Sequence, residues 1–176
     1  MAATQYSGWD CARSPEKLSI GFVSADFKNH PVGYFLEGML SHLDRTAFEV
    51  IAYSNSAESD ECTERLKGLF DKWTPIPDKN DAQVARLVHA DAPHILIDLS
   101  GHTRDGRLGV FAYKPAPVQV TWLGYWASTG IAQIDYKLGD AYVTPPGSEV
   151  YFAEDIWRLP NSFLCFTPPP ADCPLS

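Results

Sequence analysis

The sequence predicts a doubly wound α/β domain with a mostly parallel sheet, and three observations support this. Short runs of β-forming residues alternate with longer segments of helical periodicity, as in strands joined by helical crossovers. The runs at 20–23, 95–97 and 118–120 are almost entirely apolar, which is typical of central strands covered on both faces. Loops of small and polar residues follow these three strands, and in a parallel sheet such loops converge where ligands bind.

Six strands are predicted from the apolar pattern. They lie at residues 18–24, 48–53, 72–76, 95–99, 118–122 and 136–139. Pro117 precedes the fifth strand, a position where its missing N–H is tolerated.

Four helices are predicted between these strands. Apolar residues from Val32 to Leu43 recur at helical spacing and form the inward face of the first helix. Ser59 is predicted to cap the second helix, because acidic residues follow it where the helix dipole favours negative charge. Asp81 is predicted to cap the third helix, and a short helical piece is expected at 108–113.

The two ends of the chain lie outside this pattern. Residues 1–16 show no periodicity and are interpreted as a linker or a remnant, so the domain is expected over 17–165. Half of the 14 prolines fall within the last 32 residues, so this stretch is predicted to form no regular packed element. Residues 166–176 are expected to be a Pro-rich tail or crossing segment.

The composition is that of an ordinary globular domain, with 176 residues, 45% hydrophobic and 20% charged. The formal net charge of −8 argues against a nucleic-acid partner. No apolar run approaches the roughly 20 residues that cross a bilayer, and residues 1–10 do not resemble a signal peptide. We therefore expect a cytoplasmic protein without a membrane partner, whose four cysteines are free thiols rather than disulfides.

The first loop, at 24–31, leads from a predicted strand into a helix that begins near Pro31, with Asn29 or His30 as its cap. Backbone N–H groups at such a helix start suit a pyrophosphate. His30 then lies at the mouth as an acid or base, and Asp26 could orient or tune it. Alternatively, Asp26 and Asn29 are only turn and cap residues, and the local pattern does not decide between these interpretations.

The second loop follows the strand at 95–99. Asp98 lies within an apolar segment, so it needs hydrogen-bonding partners and can serve simply to anchor the loop. His102 and Thr103 project where a ligand would lie, although a lone histidine is more often structural than catalytic.

The third loop opens with Gly124, which permits close approach of the backbone to a ligand or merely a tight turn. Trp122, Tyr125 and Trp126 could stack on a sugar or a base, or pack between layers. For Trp122, which lies within a strand, packing is favoured.

Several common motifs are missing. The sequence has no Gly-x-Gly-x-x-Gly, no Walker motif and no Gly-x-Ser-x-Gly, which argues against dehydrogenases, P-loop kinases and hydrolases with a nucleophile elbow.

Several long motifs do occur together, in order, over roughly residues 17–170. They are 21–27 followed by Asn29-His30-Pro31, then 101–103, 115–125 and 158–160. On these motifs the chain resembles the O-linked N-acetylglucosamine transferase and SPINDLY family of protein glycosyltransferases.

The resemblance implies a GT-B fold, in which two Rossmann-like lobes face each other across a cleft, usually preceded by tetratricopeptide repeats. It implies an inverting transfer of sugar from a nucleotide donor to Ser or Thr of proteins, with no metal or other cofactor. The chain resembles only the N-terminal lobe, so the C-terminal lobe, the repeats and an upstream histidine are expected to be missing. Alone it is therefore expected to be inactive.

The resemblance also assigns residues. Asp26 and His30 match family residues implicated in catalysis, and Thr103 matches a ligand-facing threonine, with His102 as a further candidate. The residues that match the donor-facing rim are Asn29, Pro31, Leu123 and Gly124. In two places the chain departs from the family pattern, with Val32 where many members have Thr and Trp126-Ala127 in place of Pro-Gly.

The leading hypothesis is the N-terminal catalytic lobe of a transferase that uses UDP-N-acetylglucosamine. SPINDLY-like transfer of fucose from GDP-fucose is the alternative within this class. A non-catalytic lobe that binds a partner is an alternative of another class, and a flavodoxin-like binder of small ligands has less support.

Overall fold

In the computed structural model, which describes residues 4–166, seven strands form one fully parallel sheet. They are β1 Leu18–Ser24, β2 Phe48–Ser54, β3 Lys72–Pro75, β4 Ile95–Asp98, β5 Val118–Thr121, β6 Tyr136–Gly139 and β7 Asp155–Arg158. Their order across the sheet is β3-β2-β1-β4-β5-β6-β7, and every neighbouring pair is parallel. The predicted parallel sheet is confirmed, and β1, β4 and β5 occupy adjacent central positions.

Helices cover both faces of the sheet, so the domain is doubly wound, as predicted. They are α1 Pro31–Ser41, α2 Glu61–Lys67, α3 Asp81–Asp91 and α4 Leu108–Phe111. On one face Phe22 of β1 packs with buried Leu36 of α1 and Leu66 of α2. On the other face Leu96 of β4 packs with buried Val84 of α3 and with residues of α4.

Both predicted caps are wrong by one residue. Asp60 caps α2, where its carboxylate accepts the Thr63 N–H at 2.9 Å, and Asn80 caps α3, where its side chain accepts the Gln83 N–H at 3.0 Å. Both form capping boxes, in which the residue three positions on must return a polar side chain. Ser59 and Asp81 could not form such boxes, because the third residue after each is apolar or weakly polar: Cys62 and Val84.

The prediction that the last 32 residues form no regular packed element is also wrong. Residues Asp155–Arg158 form β7, which pairs in parallel with β6 at the edge of the sheet. The prolines of this stretch flank the strand, at 145, 146 and 160, and therefore do not interrupt its ladder. The predicted Pro-rich tail lies outside the described residues from residue 167 onwards.

The segment before β1 has no helix or strand between residue 4 and residue 17, but it contacts the domain. The Tyr6 N–H donates to Tyr113 O at 2.9 Å, and the Tyr6 ring stacks on His89 of α3 with 3.8 Å between ring centroids. None of the helices in the part of the chain that the structure describes is long and apolar enough to cross a bilayer. Cys11, Cys62 and Cys165 are free thiols, as predicted, and Cys173 lies outside the described residues.

The order of the strands determines where a ligand site can lie. Chain connections run outward in opposite directions from the neighbouring strands β1 and β4, which is the arrangement that opens a crevice beyond their carboxyl ends. Near these ends Val23, Asp98, Thr121 and Lys137 stand side by side in register across β1, β4, β5 and β6.

Candidate active site at the carboxyl edge of the sheet

The loops that follow β1, β4 and β5 meet at one edge of the sheet, as the sequence predicts. The Oγ atoms of Ser24 and Ser100, which end β1 and begin the β4 loop, are 3.5 Å apart. The Trp122 N–H donates to Asp98 O at 2.9 Å and so joins the β5 loop to the end of β4. The loops therefore form one continuous surface.

His30 is the cap of α1, and Pro31 is its first residue. The His30 Nδ1 accepts the Val32 N–H at 3.2 Å, so the neutral ring carries its proton on Nε2. The nearest Asp26 carboxylate oxygen is 4.0 Å from Nδ1, beyond hydrogen-bonding distance, and the His30 side chain is 43% exposed. The backbone of α1, rather than Asp26, therefore orients this ring.

Asn29 does not cap the helix. Its N–H donates to the Asp60 carboxylate at 2.7 Å, and its side-chain oxygen accepts from the Tyr34 hydroxyl. These contacts tie the β1 loop to the start of α2 and leave His30 at the mouth.

Asp98 anchors the β4 loop, in agreement with the interpretation from the sequence. Its side chain is buried and accepts N–H groups of Ser100 at 3.1 Å and Gly101 at 2.9 Å, and the Thr121 hydroxyl at 2.8 Å. Burial raises the pKa of Asp98, whereas these hydrogen bonds act to lower it. The carboxylate thus holds a turn and the next strand together and does not face the crevice.

His102 and Thr103 follow this turn and are both exposed. The His102 Nε2 donates to Thr129 O at 2.9 Å, so the neutral ring keeps an acceptor at Nδ1. The Thr103 hydroxyl donates to Ser100 O at 2.8 Å, which leaves its oxygen lone pairs for a ligand. Both side chains therefore present acceptors to the edge.

The β5 loop begins with a strained turn. Leu123 has φ 75°, and the Gly124 N–H donates back to Trp122 O at 3.0 Å, which makes a γ-turn with a left-handed central residue. A methyl group on Gly124 would overlap the carbonyl oxygen of Leu99 and lie 3.2 Å from Ser100 Cα. Gly124 is therefore required for the close approach of two backbones.

Two buried charges that were not expected from the sequence hold the rest of this loop. The Lys137 Nζ of β6 donates to Tyr125 O, and the Glu154 carboxylate accepts the Thr129 N–H at 2.7 Å and the Ser128 hydroxyl at 2.8 Å. Burial raises the pKa of Glu154, but its hydrogen bonds outweigh burial and hold the pKa below its usual value. The burial of Lys137 had one signal in the sequence, since this lysine stands between Tyr136 and Leu138 in a predicted strand.

The aromatic residues of this loop divide into packed and exposed ones. Trp122 is buried and its indole N–H donates to Phe163 O at 2.8 Å, so packing between layers is confirmed for it. Trp126 is 72% exposed, and its ring centroid lies 6.0 Å from that of Tyr125. The loop thus presents one indole to solvent beside the edge.

Arg107 lies at the neighbouring part of the same edge, beside the segments that follow β2 and β3. Its guanidinium donates to Asp81 at 2.7 Å, to the Asn55 side chain at 2.7 Å and to Lys79 O at 2.8 Å. Asn55 follows β2, whereas Lys79 and Asp81 lie where the chain enters α3, so Arg107 fixes the end of the β4 loop against two other segments.

All eight site residues predicted from the sequence lie in the three converging loops. They are Asp26, Asn29, His30, Pro31, His102, Thr103, Leu123 and Gly124. Among residues 4–166 no three His, Cys, Asp or Glu side chains are grouped closely enough to hold a metal ion. The edge offers hydrogen-bonding groups, namely an Nε2–H at His30 and acceptors at His102 and Thr103, beside the positive end of the α1 dipole.

Comparison with known proteins identifies relatives. A family model described as glycosyl transferase family 41 matches residues 2–166. The chain is 41% identical over 176 residues to a probable UDP-N-acetylglucosamine–peptide N-acetylglucosaminyltransferase SPINDLY of Solanum lycopersicum, covering 97% of this chain and 19% of that protein. It is 35% identical over 154 residues to a UDP-N-acetylglucosamine–peptide N-acetylglucosaminyltransferase of Caenorhabditis elegans, covering 85% of this chain and 13% of that protein.

A solved structure is similar as well. A mutant O-GlcNAc transferase of Thermobaculum terrenum matches with a TM-score of 0.87 and 43% identity, over 97% of this chain and 32% of that one. The chain thus spans about a fifth of the length of the SPINDLY relatives that it matches and a third of the solved chain.

Proposed function

Because the chain belongs to glycosyl transferase family 41, we propose that it is the N-terminal catalytic lobe of an inverting protein O-glycosyltransferase. The reaction would move N-acetylglucosamine from UDP-N-acetylglucosamine to Ser or Thr hydroxyls of proteins. The observation that carries the proposal is the similarity, over nearly the whole chain, to proteins named for this transfer. The converging loops supply a surface on which a nucleotide sugar could lie.

In such a transfer the acceptor oxygen bonds to the anomeric carbon while the bond from that carbon to the diphosphate breaks, and the acceptor hydroxyl releases its proton to the departing diphosphate or to water. Negative charge develops on the diphosphate, and preorganised hydrogen-bond donors that face it lower the barrier. The Nε2–H of His30 is such a donor, and its place at the N-terminus of α1 adds the positive end of the helix dipole. We assign His30 to the stabilisation of that charge, and the rim of Asn29, Pro31, Leu123 and Gly124 to donor binding.

This role makes a prediction that separates donation from base catalysis. A glutamine side chain can donate a hydrogen bond but cannot accept a proton at neutral pH. In the complete protein, His30→Gln should keep at least ten times the turnover of His30→Ala if His30 acts as a donor. Equal turnover of the two variants would favour a base.

Asp26 is too far from the His30 ring for a direct hydrogen bond, at 4.0 Å. We propose that Asp26 acts on the ring through its negative charge rather than through a hydrogen bond. In this respect Asp26 supports the donor role of His30.

The donor sugar is tested by a panel of nucleotide sugars with the complete protein and an acceptor peptide library. We expect turnover with UDP-N-acetylglucosamine. Turnover with GDP-fucose alone would instead support the SPINDLY-like alternative suggested by His102 and the segment 115–122. No transfer from either donor, by a protein that binds peptides, would favour the non-catalytic alternative.

We further propose that a second lobe is needed, since the chain spans only a third of the related solved chain. Residues 1–176 alone should then bind nucleotide sugar weakly in calorimetry and transfer none. With only one wall of the cleft present, the donor stays exposed to water, where electrostatic interactions with the protein are weak. Robust turnover by this chain alone would contradict that expectation.

A further inference from the structure

Lys137 is a buried lysine whose position the proposed chemistry does not explain. It lies in β6 between β5 and β7, in register with Thr121 and Ile156, and is 1% exposed. Among the described residues no carboxylate lies within 4.0 Å of its ammonium group. Burying an ammonium group without an ion pair is costly, so a lysine held in this way is expected to serve a purpose other than stability.

The hydrogen bond of Lys137 goes to a loop backbone. Its Nζ donates to Tyr125 O, and the carboxylates of Asp98 and Glu154 act on it only through their charges. Tyr125 directly follows the γ-turn of Trp122, Leu123 and Gly124. Lys137 therefore holds the residue next to that turn.

The turn needs such support. A non-glycine residue such as Leu123 at φ 75° is strained and persists only where its surroundings determine its conformation. On one side the turn is pressed against the Leu99 carbonyl, with no room for a side chain at Gly124. On the other side, Tyr125 directly follows the turn, and its carbonyl oxygen accepts the hydrogen bond from the Lys137 Nζ.

We propose that Lys137 is a positioning residue for the donor rim. Its ammonium group clamps the Tyr125 carbonyl and thereby keeps Leu123 and Gly124 in the strained turn that faces the donor. The assignment of a donor to that rim rests on the proposed function. The clamp itself rests on the burial of Lys137, on Tyr125 O as its one hydrogen-bond partner within residues 4–166 and on the backbone conformation of Leu123.

Glu154 restrains the other end of the same loop. Buried just before β7, it accepts the Thr129 N–H and the Ser128 hydroxyl. The exposed Trp126 lies between the two anchored points. The loop is therefore fixed from both ends by neighbouring strands of the sheet, as preorganised recognition loops are.

The test compares Lys137→Met with Lys114→Met in the complete protein. Methionine is similar in length but cannot donate. Lys114 is a matched control because its Nζ also donates to a backbone carbonyl, that of Gln133 at 2.9 Å, and pairs with Asp135 at 2.6 Å. Lys114 precedes β5 and so lies at the opposite edge of the sheet.

We expect Lys137→Met to speed hydrogen exchange of the amides of residues 122–126 at least tenfold. It should lower kcat/KM for the donor at least tenfold, mainly through KM, with a melting temperature equal to or above that of the wild type. Lys114→Met should lower the melting temperature and leave both exchange at 122–126 and donor KM unchanged.

Three outcomes would overturn the proposal: unchanged exchange in 122–126, a lower melting temperature with unchanged donor KM, or failure of Lys137→Met to fold. The exchange measurement needs no substrate. If the wild type transfers no sugar but Lys137→Met still loosens 122–126, the clamp stands and the proposed function fails.

Discussion

Replacing Gly124 by alanine tests the contact between the β4 and β5 loops, because the added Cβ would overlap the backbone of the β4 loop. The added Cβ would meet only backbone atoms: the carbonyl oxygen of Leu99, its carbonyl carbon at 2.9 Å and Ser100 Cα at 3.2 Å. No rotamer change can relieve an overlap with backbone, so the two loops must move apart. We expect the Gly124→Ala protein to fold with the carboxyl edge displaced.

The size of the effect follows from this geometry. Separating the loops by about 1 Å would misplace the donor rim, and a displacement of that size can lower turnover about a hundredfold. That loss corresponds to roughly 2.7 kcal/mol of transition-state stabilisation. Overpacking of a close contact also destabilises a fold by about 1–3 kcal/mol.

The assay is kcat/KM for the donor together with thermal unfolding, both measured on the complete protein. Gly8→Ala is the matched control, because a Cβ there has no neighbour within 4 Å. Gly8→Ala should match the wild type in both measurements. A Gly124→Ala protein with wild-type stability and turnover would refute the reasoning that the backbones are in contact at this point.

Three further predictions concern single residues. His30→Ala in the complete protein should lower kcat about 10²- to 10³-fold through the lost hydrogen-bond donor but destabilise the fold by only about 1 kcal/mol, through the lost helix cap; a kcat loss below tenfold would remove its assigned role. Leu36→Ala should destabilise by about 2–5 kcal/mol in urea unfolding, because Leu36 is fully buried in the core; a loss below about 1 kcal/mol would contradict the packing described. Burial raises the pKa of Asp98 above 3.8, so the folded state binds this proton more readily and the wild type loses stability as pH rises through the raised pKa. Asp98→Asn should remove that loss, so the free energy of unfolding of the variant relative to the wild type should rise as pH increases above 4. Urea unfolding between pH 4 and 7 measures this. A difference in the free energy of unfolding that stays constant over this range would contradict the assignment.

The sequence predicted the central strands well because their signal is local. Most residues of β1, β4 and β5 are buried and each strand is rich in apolar residues, and the bounds of all three agree with the prediction to within one residue. The edge strand β7 was missed for the opposite reason. Its residues Asp155–Arg158 alternate between exposed and half-buried, and only pairing with β6 makes them a strand.

The candidate site divides in the same way. The proline at the start of α1 restricted the predicted cap to Asn29 or His30, by a rule that acts between neighbouring residues, and the structure shows that His30 is the cap. The clamp by Lys137 could not be predicted, because its partner is a backbone carbonyl 12 residues away, on a loop whose path depends on the whole sheet. The distance between His30 and Asp26 likewise depends on how the β1 loop packs, and no spacing in the sequence determines it.

The strand order also dictates when this edge can come into existence during synthesis. β1 pairs with β4 through Ile20 and Ile95, so the two walls of the crevice are separated by about 75 residues of chain. Until residues 95–98 have left the ribosome, β1 has one unpaired side, and such open strand edges are where nascent chains associate wrongly. Fully parallel pairing allows no hairpin to bring these strands together early. The nascent chain should therefore depend on chaperones most strongly in the interval between the emergence of β2 and that of β4.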